Sequence, residues 1–136
     1  MIIKCAIVDD EPLALGLLES YVKKTPSLEL CGAYSSAIQA MELLTEHPVD
    51  LIFLDIQMPE LSGIDVGNIL HNKYPDAIII VITSFMDYLD DAMRFNVFRY
   101  ISKPIDKDRL FRNMQDAVTA YNNRSSTLYV KCGSDY

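Results

Sequence analysis

The sequence predicts an α/β fold: a doubly wound, (βα)5 domain built on a five-stranded parallel sheet. Two observations lead there. Short apolar runs alternate with amphipathic stretches along nearly the whole chain, and the runs at 2–8 and 77–82 are almost unbroken by polar residues. An unbroken apolar strand needs cover on both faces, which is the situation of a parallel sheet with helices above and below.

The elements follow in order. Strands are expected at 2–8, 28–34, 51–54, 77–82 and 97–101, all rich in Ile, Val, Leu and aromatics. Pro12 suits a first helical turn, and Ala14, Leu17, Leu18, Tyr21 and Val22 follow at the spacing of a core-facing stripe. Further helices fit 36–46, 62–73, 87–95 and 106–121. Ser36, Ser62 and Asp106 stand where an N-cap side chain would accept the first free backbone N–H groups. Right-handed crossovers leave few topologies, and the flavodoxin-like strand order 2-1-3-4-5 is the expected one, with ligands at the carboxyl ends of the strands.

After Tyr121 the texture changes. Residues 122–126 (NNRSS) are polar and unpatterned and read as a linker, and 127–136 read as the opening of another strand. The expected organisation is therefore one domain over 1–121, a linker, and the start of a truncated second domain; a short ordered tail is the alternative.

Composition narrows the partners. A formal charge of −7 without a basic stripe argues against these residues gripping nucleic acid or an anionic membrane. No apolar run approaches a membrane span, and the double acid at 9–10 comes too early for a secretory signal. Cys5 and Cys31 lie in apolar runs and read as reduced core thiols, so a cytoplasmic protein is expected.

Parallel strands point the same way, so their carboxyl ends share one edge of the sheet. The first delivers Asp9, Asp10 and Glu11, the third Asp55, the fourth Thr83 and Ser84, and the fifth Lys103 before Pro104. Asp9, Asp10 and Asp55 should then cluster, with Thr83 and Lys103 facing them from the other side. Clustered carboxylates repel, which is relieved by protonating one or by a hard divalent cation such as Mg2+. With a cation the set can serve phosphoryl transfer. Asp55 would be a carboxylate nucleophile, Lys103 a neutralising charge, and the Thr83 hydroxyl a directed donor. Singly, each residue has a plainer role as helix start, cap or solvated charge.

Together, Asp9-Asp10, Asp55 followed by Met58-Pro59 and Gly63, Thr83-Ser84 and Lys103-Pro104 resemble the response-regulator receiver domain of two-component signalling. The resemblance implies that Asp55 is the phosphoacceptor, served by a sensor histidine kinase. It implies Mg2+ on Asp10, Asp55 and the backbone carbonyl of Gln57, with Asp9 holding a metal-bound water. Thr83 and Lys103 would contact the phosphoryl oxygens, Tyr100 would be the aromatic switch, and Lys103-Pro104 a cis peptide. Gln57 and Phe85 occupy positions that tune autodephosphorylation in that family. The wording DIQMPELSG and the tail from Leu128 are similar to regulators carrying a LytTR-type DNA-binding domain, which implies control of transcription through that missing domain.

The implied protein is a switch and not an enzyme acting on a separate substrate, with self-phosphorylation and autodephosphorylation at Asp55. Phosphorylation would draw in Thr83, let Tyr100 turn inward, and remodel the face of the fourth predicted helix, fifth strand and last helix. There Met86, Leu89 and Met93 mix with Asp87, Asp90 and Asp91, opposite Lys107, Arg109 and Arg112. That mixture is compatible with a homodimer and equally with a solvated helix. Three rivals stay open. An aspartyl-nucleophile phosphatase would want an acid where Gln57 stands, and a flavin carrier would want a phosphate loop where Asp9–Pro12 stand. The third is a metal-free interaction module. His47 and His71 read as exposed helix ends.

Overall fold

The computed structural model describes residues 2–58, 62–84 and 96–134, with side chains through Arg124. Five parallel strands, β1 (Ile3–Val8), β2 (Leu28–Tyr34), β3 (Leu51–Leu54), β4 (Ile78–Thr83) and β5 (Arg99–Ser102), form one sheet in the order β2-β1-β3-β4-β5. The helices are α1 (Pro12–Lys24), α2 (Ala37–Leu44), α3 (Gly63–Lys73) and α4 (Lys107–Ser134). The predicted helix at 87–95, with Phe85 and Met86 before it, lies outside the described residues, as does Pro59.

Every residue of β3 and β4 is buried, because apolar side chains alternate into two separate core layers. Ile7, Phe53, Ile80 and Ile101 join Leu18 and Val22 of α1 and Leu110 and Met114 of α4. Val8, Leu54 and Val81 join Ala40 and Leu44 of α2 and Val66 and Leu70 of α3 on the other face. Each fully buried Leu, Ile or Phe contributes about 1.5–3 kcal/mol, so the two layers hold the central strands from both faces.

The helix starts follow the expected capping. The Ser36 hydroxyl accepts from the Gln39 N–H at 3.3 Å and that of Ser62 from the Asp65 N–H at 3.3 Å. Asp106 Oδ1 accepts from the Asp108 N–H at 2.9 Å. Pro12 sits in the first turn of α1, whose buried residues Ala14, Leu18 and Val22 recur every fourth position. The Lys103–Pro104 peptide is cis.

Two expectations are corrected. Cys5 is buried but Cys31 is exposed. β2 is an edge strand, and its register with β1 slips at this point: Cys5 pairs with Leu30 and Ala6 with Gly32, which leaves Cys31 as the unpaired residue of a bulge. The backbone of 122–134 is helical, where an unpatterned stretch and then a strand from 127 were expected. Asn and Ser are mediocre helix formers, but extending an already nucleated helix requires fixing only one residue per bond. Arg124 also ties the extension to the body, donating to the Asp76 carbonyl at 2.7 Å.

Candidate functional site

The site lies at the carboxyl edge of the sheet and begins with two matched turns. Asp9 follows β1 and Asp55 follows β3, level with each other because Val8 and Leu54 are register partners. The Asp9 N–H donates to the Tyr34 carbonyl at 3.0 Å, and the Asp55 N–H to the Val8 carbonyl at 2.9 Å. Each carboxylate then folds back on its own backbone. Asp9 Oδ1 accepts from the Glu11 N–H at 2.9 Å, and Asp55 Oδ1 from the Gln57 N–H at 3.0 Å. This short side-chain turn suits Asp, and it fixes one oxygen while aiming the other into the site.

Lys103 closes the cluster from β5. Its backbone N–H donates to the Thr83 carbonyl at 2.9 Å. Its ammonium donates to Asp9 Oδ1 at 3.1 Å and to Asp55 Oδ2 at 3.2 Å, and lies 3.5 Å from Glu11 Oε1. Asp9 Oδ2 is 3.0 Å from the same nitrogen, yet this buried oxygen has no properly directed hydrogen bond. Asp9 is 1% exposed, Asp55 4%, and the Lys103 side chain 8%. Asp10 is exposed, and carboxylate oxygens of Asp9, Asp10 and Asp55 fall within 4.8 Å of one another.

One ammonium cannot neutralise three carboxylates, and the titrations register the deficit. Burial pushes Asp9 up to about 6, against the lowering effects of the Glu11 amide and Lys103, and the Asp55 charge adds to the rise. Burial also raises Asp55, with Asp10 adding to it while the Gln57 amide and Lys103 oppose. Burial alone would lower Lys103, but its pairing with Asp9 and Asp55 outweighs that and holds it above the ordinary lysine range.

Thr83 stands one residue out of phase with the acids along its strand. Asp9, Asp55 and Lys103 continue the alternation of Ile7, Phe53 and Ile101, on the α1/α4 side of the sheet. Thr83 continues that of Val81, whose register partner is Tyr100, so Thr83 and Tyr100 share the α2/α3 side. Thr83 is fully buried there, and Tyr100 is half-buried with its carbonyl accepting from Arg109 at 3.1 Å. Lys103 faces Asp9 and Asp55 as expected, and Asp55 is buried beneath it. Glu11, delivered with Asp9 and Asp10 but given no role from sequence, is a site member through Lys103. A cavity of about 740 Å3 opens at the opposite edge of the sheet between Tyr74, Ala77, Tyr121 and Arg124, and it contains none of these groups.

Comparison with known proteins identifies the family and agrees with the fold. The family model described as "Response regulator receiver domain" matches residues 5–115. The transcriptional regulatory protein BtsR of Escherichia coli is 32% identical over 142 residues, covering 96% of this chain and 58% of that protein. The chain thus spans little more than half the length of the curated relatives it matches. Among solved structures, the receiver domain of AraT, a response regulator from Geobacillus stearothermophilus, superposes with a TM-score of 0.83 at 29% identity, covering 92% of this chain and 99% of that one. TrrA, a response regulator from Thermotoga maritima solved with Mg2+ and BeF, gives a TM-score of 0.74 at 27% identity over 85% of this chain and 99% of that one.

Proposed function

The chain belongs to the response-regulator receiver family, and from that premise we propose that Asp55 is the phosphoacceptor of a Mg2+-dependent switch charged by a sensor histidine kinase. The observation that carries the proposal is the Lys103 ammonium held between Asp9 and Asp55, with all three side chains nearly excluded from water. The donor set also fits a hard cation: three carboxylates lie within reach of one ion, and a buried Asp9 oxygen is left without a directed partner.

Asp9, Asp10 and Asp55 would hold the ion, with the Gln57 carbonyl completing the protein ligands, and bound Mg2+ supplies charge neutralisation for the transferring phosphoryl group. The protein's own residues do the remainder. The Gln57 N–H holds Asp55 Oδ1 and fixes the carboxylate plane, so the nucleophile enters the reaction already oriented. A carboxylate oxygen of Asp55 attacks phosphorus as the bond to the donor's imidazole nitrogen breaks, and the leaving nitrogen takes a proton. Lys103, tethered through its backbone to the end of β4, swings from carboxylate to phosphoryl oxygen over a short distance. The buried Thr83 hydroxyl and Tyr100, on one side of the sheet, would carry the change to the β5–α4 surface and to a homodimer formed there. BtsR is named a transcriptional regulator, and we extend the same output, exercised through a downstream DNA-binding domain, to this chain.

The test is incubation with acetyl phosphate and Mg2+ followed by intact mass. Wild type should gain one phosphoryl group and Asp55→Asn none. An unchanged wild-type mass with every phosphodonor, kinase included, overturns the proposal.

A further inference from the structure

We infer that Gly63 is a positioning residue for Asp55; this rests on the phosphoacceptor role proposed above and adds to it a cause for where that carboxylate stands. Gly63 opens α3 and is buried. A Cβ at this position would lie 2.1 Å from the Asp55 carbonyl oxygen, 2.5 Å from Ile56 Cα and 2.8 Å from the Asp55 carbonyl carbon. Its own N–H donates to the Ile56 carbonyl at 3.2 Å. The helix therefore rests directly on the Asp55–Ile56 peptide, with no side chain between them. Gly63 has no positive φ, so its glycine serves close approach and not backbone freedom.

The contrast with Gly32 shows why this contact is unforgiving. A Cβ at Gly32 would meet the Tyr34 hydroxyl, the far end of a side chain that can swing away. At Gly63 both parties are backbone, and both are held. Asp55 N–H is bonded to β1, and Leu54 just before it pairs with β1 and β4. α3 is anchored by its Ser62 cap and by Val66 and Leu70 in the core. Relieving the overlap to ordinary contact needs a shift of at least about 1 Å. A shift taken up by the Asp55–Ile56 peptide moves the residue that carries the nucleophile.

The test compares wild type with Gly63→Ala, Leu70→Ala and Gly16→Ala. Leu70→Ala loosens the same helix without touching the site, and a Cβ at Gly16 meets nothing within 4 Å. Phosphorylation of Asp55 is followed against acetyl phosphate concentration at saturating Mg2+, alongside the Gln57 amide resonance without metal. Gly63→Ala should lose on the order of 100-fold in kcat with the donor KM little changed, and should move the Gln57 amide. Leu70→Ala and Gly16→Ala should keep kcat near wild type. A Gly63→Ala rate within a few-fold of wild type overturns the inference, as does an equal loss in Leu70→Ala. If Gly63→Ala unfolds in buffer, both readouts are taken after refolding it in trimethylamine N-oxide, with the same criteria. If wild type itself takes up no phosphoryl group, the phosphoacceptor role fails and the positioning claim is judged on the Gln57 amide, where an unmoved resonance overturns it.

Discussion

Asp9→Asn should stabilise the metal-free protein at neutral pH, although it removes a charge from an ion pair. Asp9 is 1% exposed, and its titration is raised from the ordinary carboxylate range to about 6. The native state therefore holds the proton more tightly than the unfolded chain does. The cost of ionising Asp9 is absent below about pH 4, grows as pH rises towards 6, and is constant above that, at a value on the order of 3 kcal/mol. Asparagine keeps the turn, because its carbonyl oxygen can still accept from the Glu11 N–H. Lys103 keeps Asp55 at 3.2 Å and Glu11 at 3.5 Å. The Lys103 pairing is already included in the titration at about 6; allowing about half the gain for relaxation around the ionised site leaves about 1–2 kcal/mol, or roughly 3–10 °C in Tm for a domain of this size. The assay is thermal melting in EDTA from pH 4 to 7.5. The variant should melt above wild type at pH 7, and the difference should shrink towards zero near pH 4. A variant melting at or below wild type at pH 7 would refute the reasoning, as would a difference independent of pH.

Other consequences can be checked in the same way. Lys103→Ala leaves Asp9 and Asp55 buried and uncompensated, so urea unfolding without metal should show a loss of about 3–5 kcal/mol; less than 1 kcal/mol would mean the acids are better solvated than their exposure indicates. Saturating Mg2+ should raise the wild-type Tm, by about 2.7 kcal/mol in stability at a hundredfold excess over Kd, and should raise that of Asp9→Asn less. Ser62→Ala removes the α3 cap and should cost about 1 kcal/mol in thermal or urea unfolding, with Asp55 chemistry retained.

Much of this molecule could be read from its residues because its strongest signals are local. Unbroken apolar runs cannot be half-exposed, so the strands expected at 2–8 and 77–82 fall within a residue of β1 and β4, and Ser36, Ser62 and Asp106 announce their helices through their own hydrogen bonds. Side-chain direction at the strand ends was harder. Thr83 lies one residue out of phase with Asp9, Asp55 and Lys103, which emerges only from the register of β4 against β3 and β5. Cys31 looked buried because its neighbours are apolar, but a bulge on an edge strand turns it outwards, and bulges leave no mark in composition. The stretch 122–126 has loop-like residues without a Pro or Gly to stop a helix that is already running. The pairing of Asp55 with Lys103, 48 residues later, was legible only through the predicted topology, because local pattern says nothing over that distance.

That separation has a consequence for how the molecule comes into being. Lys103 meets Asp55 across 48 residues and Asp9 across 94, and no parallel pair of strands can form as a hairpin. A chain emerging from the ribosome therefore carries Asp9 and Asp55 long before it carries the cation that joins them. Pairing of β1 with β3 brings the two acids together, but until β5 is laid down they lack the ammonium that neutralises them. The proposed phosphoacceptor chemistry therefore depends on β5 standing in its place beside β4.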